Sequence, residues 1–181
     1  CGAIEESDFV FIEVKPDEVT EQVMSAYFED LPNKLDDVDQ SDFQILSPMR
    51  KHSAGIENLN KIIQTKFCSG KKPLFEKFTR TVEKRFFTGD RVIMTENNYE
   101  KGIMNGDVGI ITGKQGDNYL VDFDDVELDF SEIELLSLEL AYAISIHKSQ
   151  GSEYPGVIIP ITSEHSFMLS RNLIYTAITR G

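Results

Sequence analysis

The chain has 181 residues, of which 40% are hydrophobic and 27% charged, with a net charge of −13 and two cysteines, Cys1 and Cys68. That length buries a sizeable core in one large or two small domains. No run approaches the ~18 apolar residues that cross a membrane, the acidic start from Cys1 to Val10 is no signal peptide, and two cysteines are too few for a disulfide framework. A cytoplasmic protein without a membrane partner is the expectation.

Phe9 to Ile12 is a short apolar run that reads as a buried strand. Pro16, Asp17 and Glu18 suit a helix start, with proline in the first turn and carboxylates at the positive dipole end. Val19, Val23, Met24, Tyr27 and Phe28 follow at helical spacing. Leu31-Pro32 is expected to end that helix, and an acidic loop to reach Asp42. Phe43 to Leu46 predicts a second strand, stopped by Ser47-Pro48. A helix from about Gly55 carries Ile56, Leu59, Ile62 and Ile63 on one face. Strand alternating with helix argues for a parallel sheet with helices on its faces.

The periodicity changes after Phe87. From Gly89 to Leu136 short alternating runs (91–94, 108–111, 119–123 and 126–130) are punctuated by turn signals such as Asn105-Gly106, Gly116-Asp117 and Asp124-Asp125. This spacing predicts a small all-β, SH3-like barrel. Strand character returns from Leu138 to Ile144, and a short helix is expected over Ile146 to Gln150. A buried strand covers Val157 to Ile161, and a helix from Leu169 bears Leu173, Ile174, Ala177 and Ile178. The reading is an α/β domain in two parts, residues 1–86 and 138–181, interrupted by a β insertion at 87–137.

Three runs carry chemistry. Ile144 to Tyr154 (ISIHKSQGSEY) is a strand-to-helix junction rich in hydroxyl, amide and imidazole groups. Such junctions at the carboxyl ends of strands in open α/β sheets are where ligands bind, and these groups suit a DNA phosphate or a ribose. The same residues would serve equally as a capped turn. Arg171 to Arg180 is an amphipathic helix ending in a cation. Arg180 either stabilises the helix dipole or acts as an arginine finger. Ile45 to His52 delivers Ser47, Arg50 and Lys51 to a loop at the sheet edge, where cations suit phosphate contact. The charge is uneven: residues 44–102 hold 12 bases and 6 acids, whereas 1–43 hold 13 acids and 2 bases and 103–140 hold 10 acids and 1 base. That pattern is compatible with one basic face meeting phosphates, and also with charge that is simply solvated.

In order along the chain stand Ser47-Pro48-Met49 with Gly55 and Asn60, Asn97-Asn98-Tyr99, Asn105 to Gly109, His147 to Glu153, and Asn172 to Arg180. That succession resembles the C-terminal half of RecD/TraA-type DNA helicases of superfamily 1 from about Phe9 onward. The resemblance implies a RecA-like parallel sheet flanked by helices, with an SH3-like insertion. Motif IV would lie near Ser47 to Lys51, motif V at Ser145 to Glu153 and motif VI at Tyr175 to Arg180. It further implies that Ser47, Arg50, Lys51, Ser145, His147, Lys148, Ser149 and Gln150 lie near the DNA backbone, that Gly151 and Glu153 lie towards the nucleotide, and that Arg180 reaches the γ-phosphate. Family members move 5′ to 3′ on single-stranded DNA using ATP and Mg²⁺.

No Gly-x-x-x-x-Gly-Lys-Ser/Thr phosphate loop is present; at Gly113-Lys114, Val108 stands where the first glycine belongs and Gln115 where a hydroxyl belongs. ATP and Mg²⁺ are therefore expected on a first motor domain absent from this chain, with no metal ligands here and no turnover by the chain alone. Gly181 directly follows motif VI, where the family fold continues, so a fragment of a longer protein is expected. The alternative is a non-catalytic nucleic-acid or protein binding module on a motor-domain scaffold.

Overall fold

A computed structural model describes residues 9–35, 38–80, 83–165 and 169–181. Cys1 and, within the acidic loop, Asp36 and Asp37 lie outside them. Residues 9–12 form irregular chain with apolar side chains 48–78% exposed, in place of the buried strand expected there. None of the sheets includes them, and an apolar run without a ladder partner does not become a strand.

Helix α1 (Val19–Ser25) continues through a π-helical turn (Ala26–Asp30) into α2 (Leu31–Lys34). Leu31-Pro32 therefore does not end the helix. The wide turn, closed by the Leu31 N–H donating to the Ala26 carbonyl, shifts the register by one residue. Pro32 then falls in the first turn of α2, where a missing N–H costs nothing. Strand β1 (Phe43–Ser47) is buried along its whole length, and α3 (Ile56–Phe67) follows. Next comes a hairpin absent from the sequence reading, β2 (Phe75–Phe78) and β3 (Glu83–Phe86). Its charged alternation hid it, since only Phe75 and Phe86 face a core.

The antiparallel region contains β4 (Arg91–Met94), β5 (Val108–Gln115), β6 (Asn118–Phe123) and β7 (Val126–Phe130). Gly113 and Lys114 lie on β5, beside a register shift. The single strand expected over 138–144 is two: β8 (Leu138–Leu140) completes a five-stranded sheet ordered β7-β6-β5-β4-β8, and β9 (Ala143–Ser145) joins a parallel sheet. Residues 146–151 form successive turns with no helix; the bonds run over three residues and Gly151, at φ 91°, breaks the pattern. Strand β10 (Gly156–Ile158) is shorter than the sequence suggested, because Pro160 offers no N–H to a ladder. Helix α4 (Arg171–Ile178) is capped by Ser170, whose hydroxyl accepts from the Leu173 N–H at 3.1 Å.

The parallel sheet is ordered β10-β1-β9. α1, the π-helical turn and α3 pack Val23, Tyr27, Leu59 and Ile63 against its Phe43 and Ile45. The hairpin residues Phe75 and Phe86 join Val92, Ile111, Val121 and Phe130 in the barrel core. A third cluster spans the two sheets, with Ile93 of β4 against Leu46, Ala141, Ile144, Ile146 and Ala177.

Candidate nucleic-acid interface

The parallel strands present their carboxyl ends to one edge, so the loops after β1, β9 and β10 leave side by side, where α/β sheets place ligands. Register sets Ser47 beside Ser145. The first and third loops touch where His52 Nδ1 lies 3.7 Å from Glu164 Oε2.

In the first loop Ser47 is fully buried, and its hydroxyl donates to the Ala54 carbonyl at 2.8 Å. The loop then folds over the start of α3, whose Ile56 and Glu57 N–H groups donate to the carbonyls of Met49 and Arg50 at 3.0 and 2.9 Å. Only glycine fits at 55: a Cβ there would stand 2.0 Å from the Lys51 carbonyl oxygen. The clamp throws Arg50, Lys51 and His52 outward. Arg50 meets Glu139 at 3.2 Å and Glu57 at 3.4 Å. The hydrogen bond to Glu139, then that carboxylate's charge, raises its pKa. Lys51 and His52, with Ser53, Glu57, Asn58 and Lys61, line an open cleft of about 420 Å³.

In the second loop the Lys148 N–H donates to the Ser145 carbonyl at 2.9 Å, and the Ser149 hydroxyl, fully buried, to the Ile146 carbonyl at 2.8 Å. These bonds turn His147 and Gln150 outward, with Gly151 and Glu153 also exposed and Ser145 and Lys148 half-buried. Two of the eight residues singled out for DNA, Ser47 and Ser149, therefore shape loops from beneath, and the other six reach the surface.

Arg180 closes the arrangement. Its Nη1 donates to the Ser152 carbonyl at 3.2 Å and its Nε to the Thr176 carbonyl at 3.2 Å, while the Tyr154 N–H donates to its carbonyl at 2.8 Å. Motif VI is thus stitched at both ends of one residue to the loop bearing His147 and Gln150.

Residues that sequence reasoning left without a role hold this edge to the barrel. Asn60 donates to the Leu140 and Ala143 carbonyls at 3.0 and 2.9 Å and accepts from the Ala143 N–H at 2.8 Å. Gln64 donates to Asp90 Oδ2 at 2.5 Å, and Gln44 donates to the carbonyls of Ala141 and Tyr142. Asp90, wholly buried, also accepts from the Phe87 N–H and the Tyr142 hydroxyl, both at 2.8 Å. Burial raises its pKa and pushes the neighbouring Cys68 thiol up to about 11. The signal was available in Asn60 and Gln64, two amides four residues apart on an otherwise apolar helix face.

The family of this geometry is fixed by comparison. Residues 59–123 match the model of the ATP-dependent RecD-like DNA helicase SH3 domain, and residues 140–181 that of the UvrD-like helicase C-terminal domain. The ATP-dependent RecD2 DNA helicase of Deinococcus radiodurans is 39% identical over 138 residues, which is 76% of this chain and 19% of the relative. The chain belongs to the RecD-type superfamily 1 helicases. The RecBCD enzyme subunit RecD of Haemophilus influenzae is 31% identical over 138 residues, again 76% of this chain and 20% of the relative. The chain thus spans about a fifth of the length of these RecD relatives. Two solved Pif1 helicase structures share the fold. One, of two Pif1 helicases coordinating at forked double-stranded DNA, has a TM-score of 0.56 and 22% identity, covering 95% of this chain and 46% of that one. The other, Pif1 from Bacteroides with ADP-AlF3 and single-stranded DNA, has a TM-score of 0.55 and 21% identity, covering 92% and 43%. The expected α/β fold with an SH3-like insertion is therefore present. Among the described residues no helix is long and apolar enough to cross a membrane.

Proposed function

We propose that this RecD-type region grips single-stranded DNA and senses ATP across a domain interface, within a motor that moves 5′ to 3′. The observation that carries the reading is the double tie between Arg180 and the 152–154 segment. It joins a cation suited to a γ-phosphate to the loop that displays His147, Lys148 and Gln150. In this reading Arg50, Lys51, Ser145, His147, Lys148 and Gln150 meet the DNA backbone. Ser47 and Ser149 hold the loops that carry them, and Gly151 and Glu153 face the nucleotide.

Among the described residues no three His, Cys, Asp or Glu side chains converge to hold a metal, and Gly113-Lys114 lies on an antiparallel strand. In this reading, which rests on the resemblance to RecD-type helicases, ATP and Mg²⁺ are held mainly by a first motor domain of the same protein, where they supply the phosphoryl group and its charge neutralisation. This chain alone then does not turn over ATP. What supports the DNA assignment is position: polar side chains at the carboxyl ends of β1 and β9, turned outward by loops whose inward groups are satisfied.

The test is coupling. In the full-length protein, Gln150→Ala and His147→Ala should weaken stimulation of ATP turnover by single-stranded DNA while leaving the melting temperature unchanged. Unaltered stimulation in both variants overturns the assignment. A full-length protein that binds single strands but never hydrolyses ATP would instead make this a binding module on a motor scaffold.

A further inference from the structure

The barrel carries a groove of about 470 Å³ between residues 94–100 and the turn at 133–137. Tyr99 and Ile133 line it, each 76% exposed, with Met94 buried beside them. Large apolar side chains on two walls of one groove are unusual on a solvated surface. The Tyr99 wall is held in place. Asn97 donates from Nδ2 to the Tyr99 hydroxyl at 2.9 Å and accepts the Asn105 N–H on Oδ1 at 2.8 Å. Asn98 and Ile103 exchange backbone hydrogen bonds at 2.7 and 3.0 Å. An aromatic ring fixed before a partner arrives loses little freedom on being covered.

The rim is acidic. Glu96, Glu100 and Glu134 line the groove, and residues 126–139 contain Glu127, Asp129, Glu132, Glu134 and Glu139 without a base. Lys101 offsets Glu134, with which it is paired at 2.5 Å, and Arg50 offsets Glu139 at 3.2 Å, which leaves the charge of Glu96 and Glu100 at the groove. Lys101 and Ser131 outweigh the effect of burial and hold the Glu134 carboxyl down to about 2, so it stays ionised. Such a rim repels a phosphate backbone and attracts cations.

We infer that this groove is a protein-docking site, taking a basic polypeptide segment that seats an apolar or aromatic side chain between Tyr99 and Ile133 while its lysines or arginines meet Glu96 and Glu100. The inference needs neither ATP nor DNA, and it stands apart from the motor reading. Aromatic anchors framed by complementary charge are where interfaces concentrate their affinity.

The probes are three: the peptide Lys-Lys-Trp-Lys-Leu-Lys, hexalysine, and a twelve-nucleotide oligothymidine, each titrated into the 181-residue chain and followed by amide chemical shifts. The Trp-Leu peptide should perturb Glu96 to Lys101 and Ile133 to Ser137, and hexalysine should bind at least fivefold more weakly. Tyr99→Ala and, separately, Glu100→Lys should each weaken the Trp-Leu peptide at least fivefold; both sites are exposed, so two variants guard against a folding artefact. Equal binding of hexalysine would reduce the groove to diffuse charge attraction and overturn the inference. Perturbation of the same amides by oligothymidine, or silence of all three probes at millimolar concentration, would overturn it too.

Discussion

Tyr142 and Asp90 meet at 2.8 Å across the seam between the two sheets, the phenol of the β8–β9 crossover donating to a carboxylate that leads into β4. Gln64 and the Phe87 N–H satisfy the other oxygen. A buried carboxylate held by neutral donors is tolerated only while those donors stay in place. Tyr142→Phe removes one donor with little change of volume and should destabilise the chain by about 1–3 kcal/mol. At this size that lowers the melting temperature by about 2–4 °C per kcal/mol. Calorimetry at pH 7 measures it, and an unchanged melting temperature would show that the seam does not depend on this bond.

Two carboxylates give the chain opposite responses to pH. Burial raises the Asp90 pKa above 3.8, so in the window just above that value the folded chain holds a proton that the unfolded chain has released. Its contribution is fully present below 3.8 and is lost as pH rises through the raised value. Burial also pushes Glu134 upward, but Lys101 and Ser131 outweigh it and bring the group from 4.5 to about 2. Its contribution is present above 4.5 and is lost as pH falls towards 2. Glu134→Gln should therefore flatten the acid limb of a melting-temperature profile between pH 4.5 and 2. An acid limb that superimposes on the parent's would mean that Glu134 adds no net stability.

Asn60 is a two-sided clamp on the start of β9, bonding both backbone groups of Ala143. Asn60→Leu keeps the volume yet leaves a buried N–H and two carbonyls without this partner. The expected loss is about 2–4 kcal/mol, from the cost of unmet buried polar groups. Asn60→Asp keeps the acceptor for Ala143 N–H but turns a charge towards two carbonyls, so it should rescue little. Denaturant melts of both variants decide it; a loss under ~0.5 kcal/mol, within ordinary surface variation, would mean the clamp is redundant.

These buried amides also mark where the sequence was hard to read. Periodicity found α3, the antiparallel run and α4, because each buries one face and leaves the other wet, whereas β1, buried along its whole length, showed only as a short run stopped by Ser47-Pro48. It failed at Phe9 to Ile12, where local apolarity says nothing about whether a partner strand exists. It failed at Leu31-Pro32, where a π turn absorbed the proline. It missed β2 and β3, whose outward charges conceal a pair of inward phenylalanines. At the site, spacing located the loops but not the direction of their side chains: Ser47 and Ser149 look alike to Ser145 in sequence, and only their bonds to Ala54 and Ile146 carbonyls put them underneath.

Gly55 tests the first loop directly. A Cβ placed 2.0 Å from the Lys51 carbonyl oxygen and 2.7 Å from that of Arg50 cannot be absorbed by a side-chain movement, since both obstacles are backbone. Gly55→Ala should thus open the loop, costing roughly 1–3 kcal/mol as buried strain does. In the full-length protein it should also weaken single-stranded DNA binding by displacing Arg50 and Lys51. Gly70→Ala provides the control: nothing lies within 4 Å of its Cβ, though its φ of 77° makes it a strained site. If both variants bind DNA equally, loss of the Lys51 loop is not what matters.

Arg180 separates the two roles a C-terminal cation can play. Its guanidinium holds the Ser152 and Thr176 carbonyls, so Arg180→Ala removes packing bonds as well as charge. A stability loss of about 1–3 kcal/mol is expected, because charge-assisted bonds exceed neutral ones. If the residue is also a finger, the same variant in the full-length protein should cut kcat for DNA-stimulated ATP hydrolysis by roughly 10³-fold or more. Arg180→Lys distinguishes them: an ammonium can still reach one carbonyl and recover part of the stability, but it cannot reproduce the planar fork on a γ-phosphate and should recover little of the rate. Melting temperature and turnover measured on the same two proteins give the answer. A lysine variant that regains both together, or an alanine variant with near-normal turnover, would leave Arg180 as a stitch between motifs V and VI and nothing more.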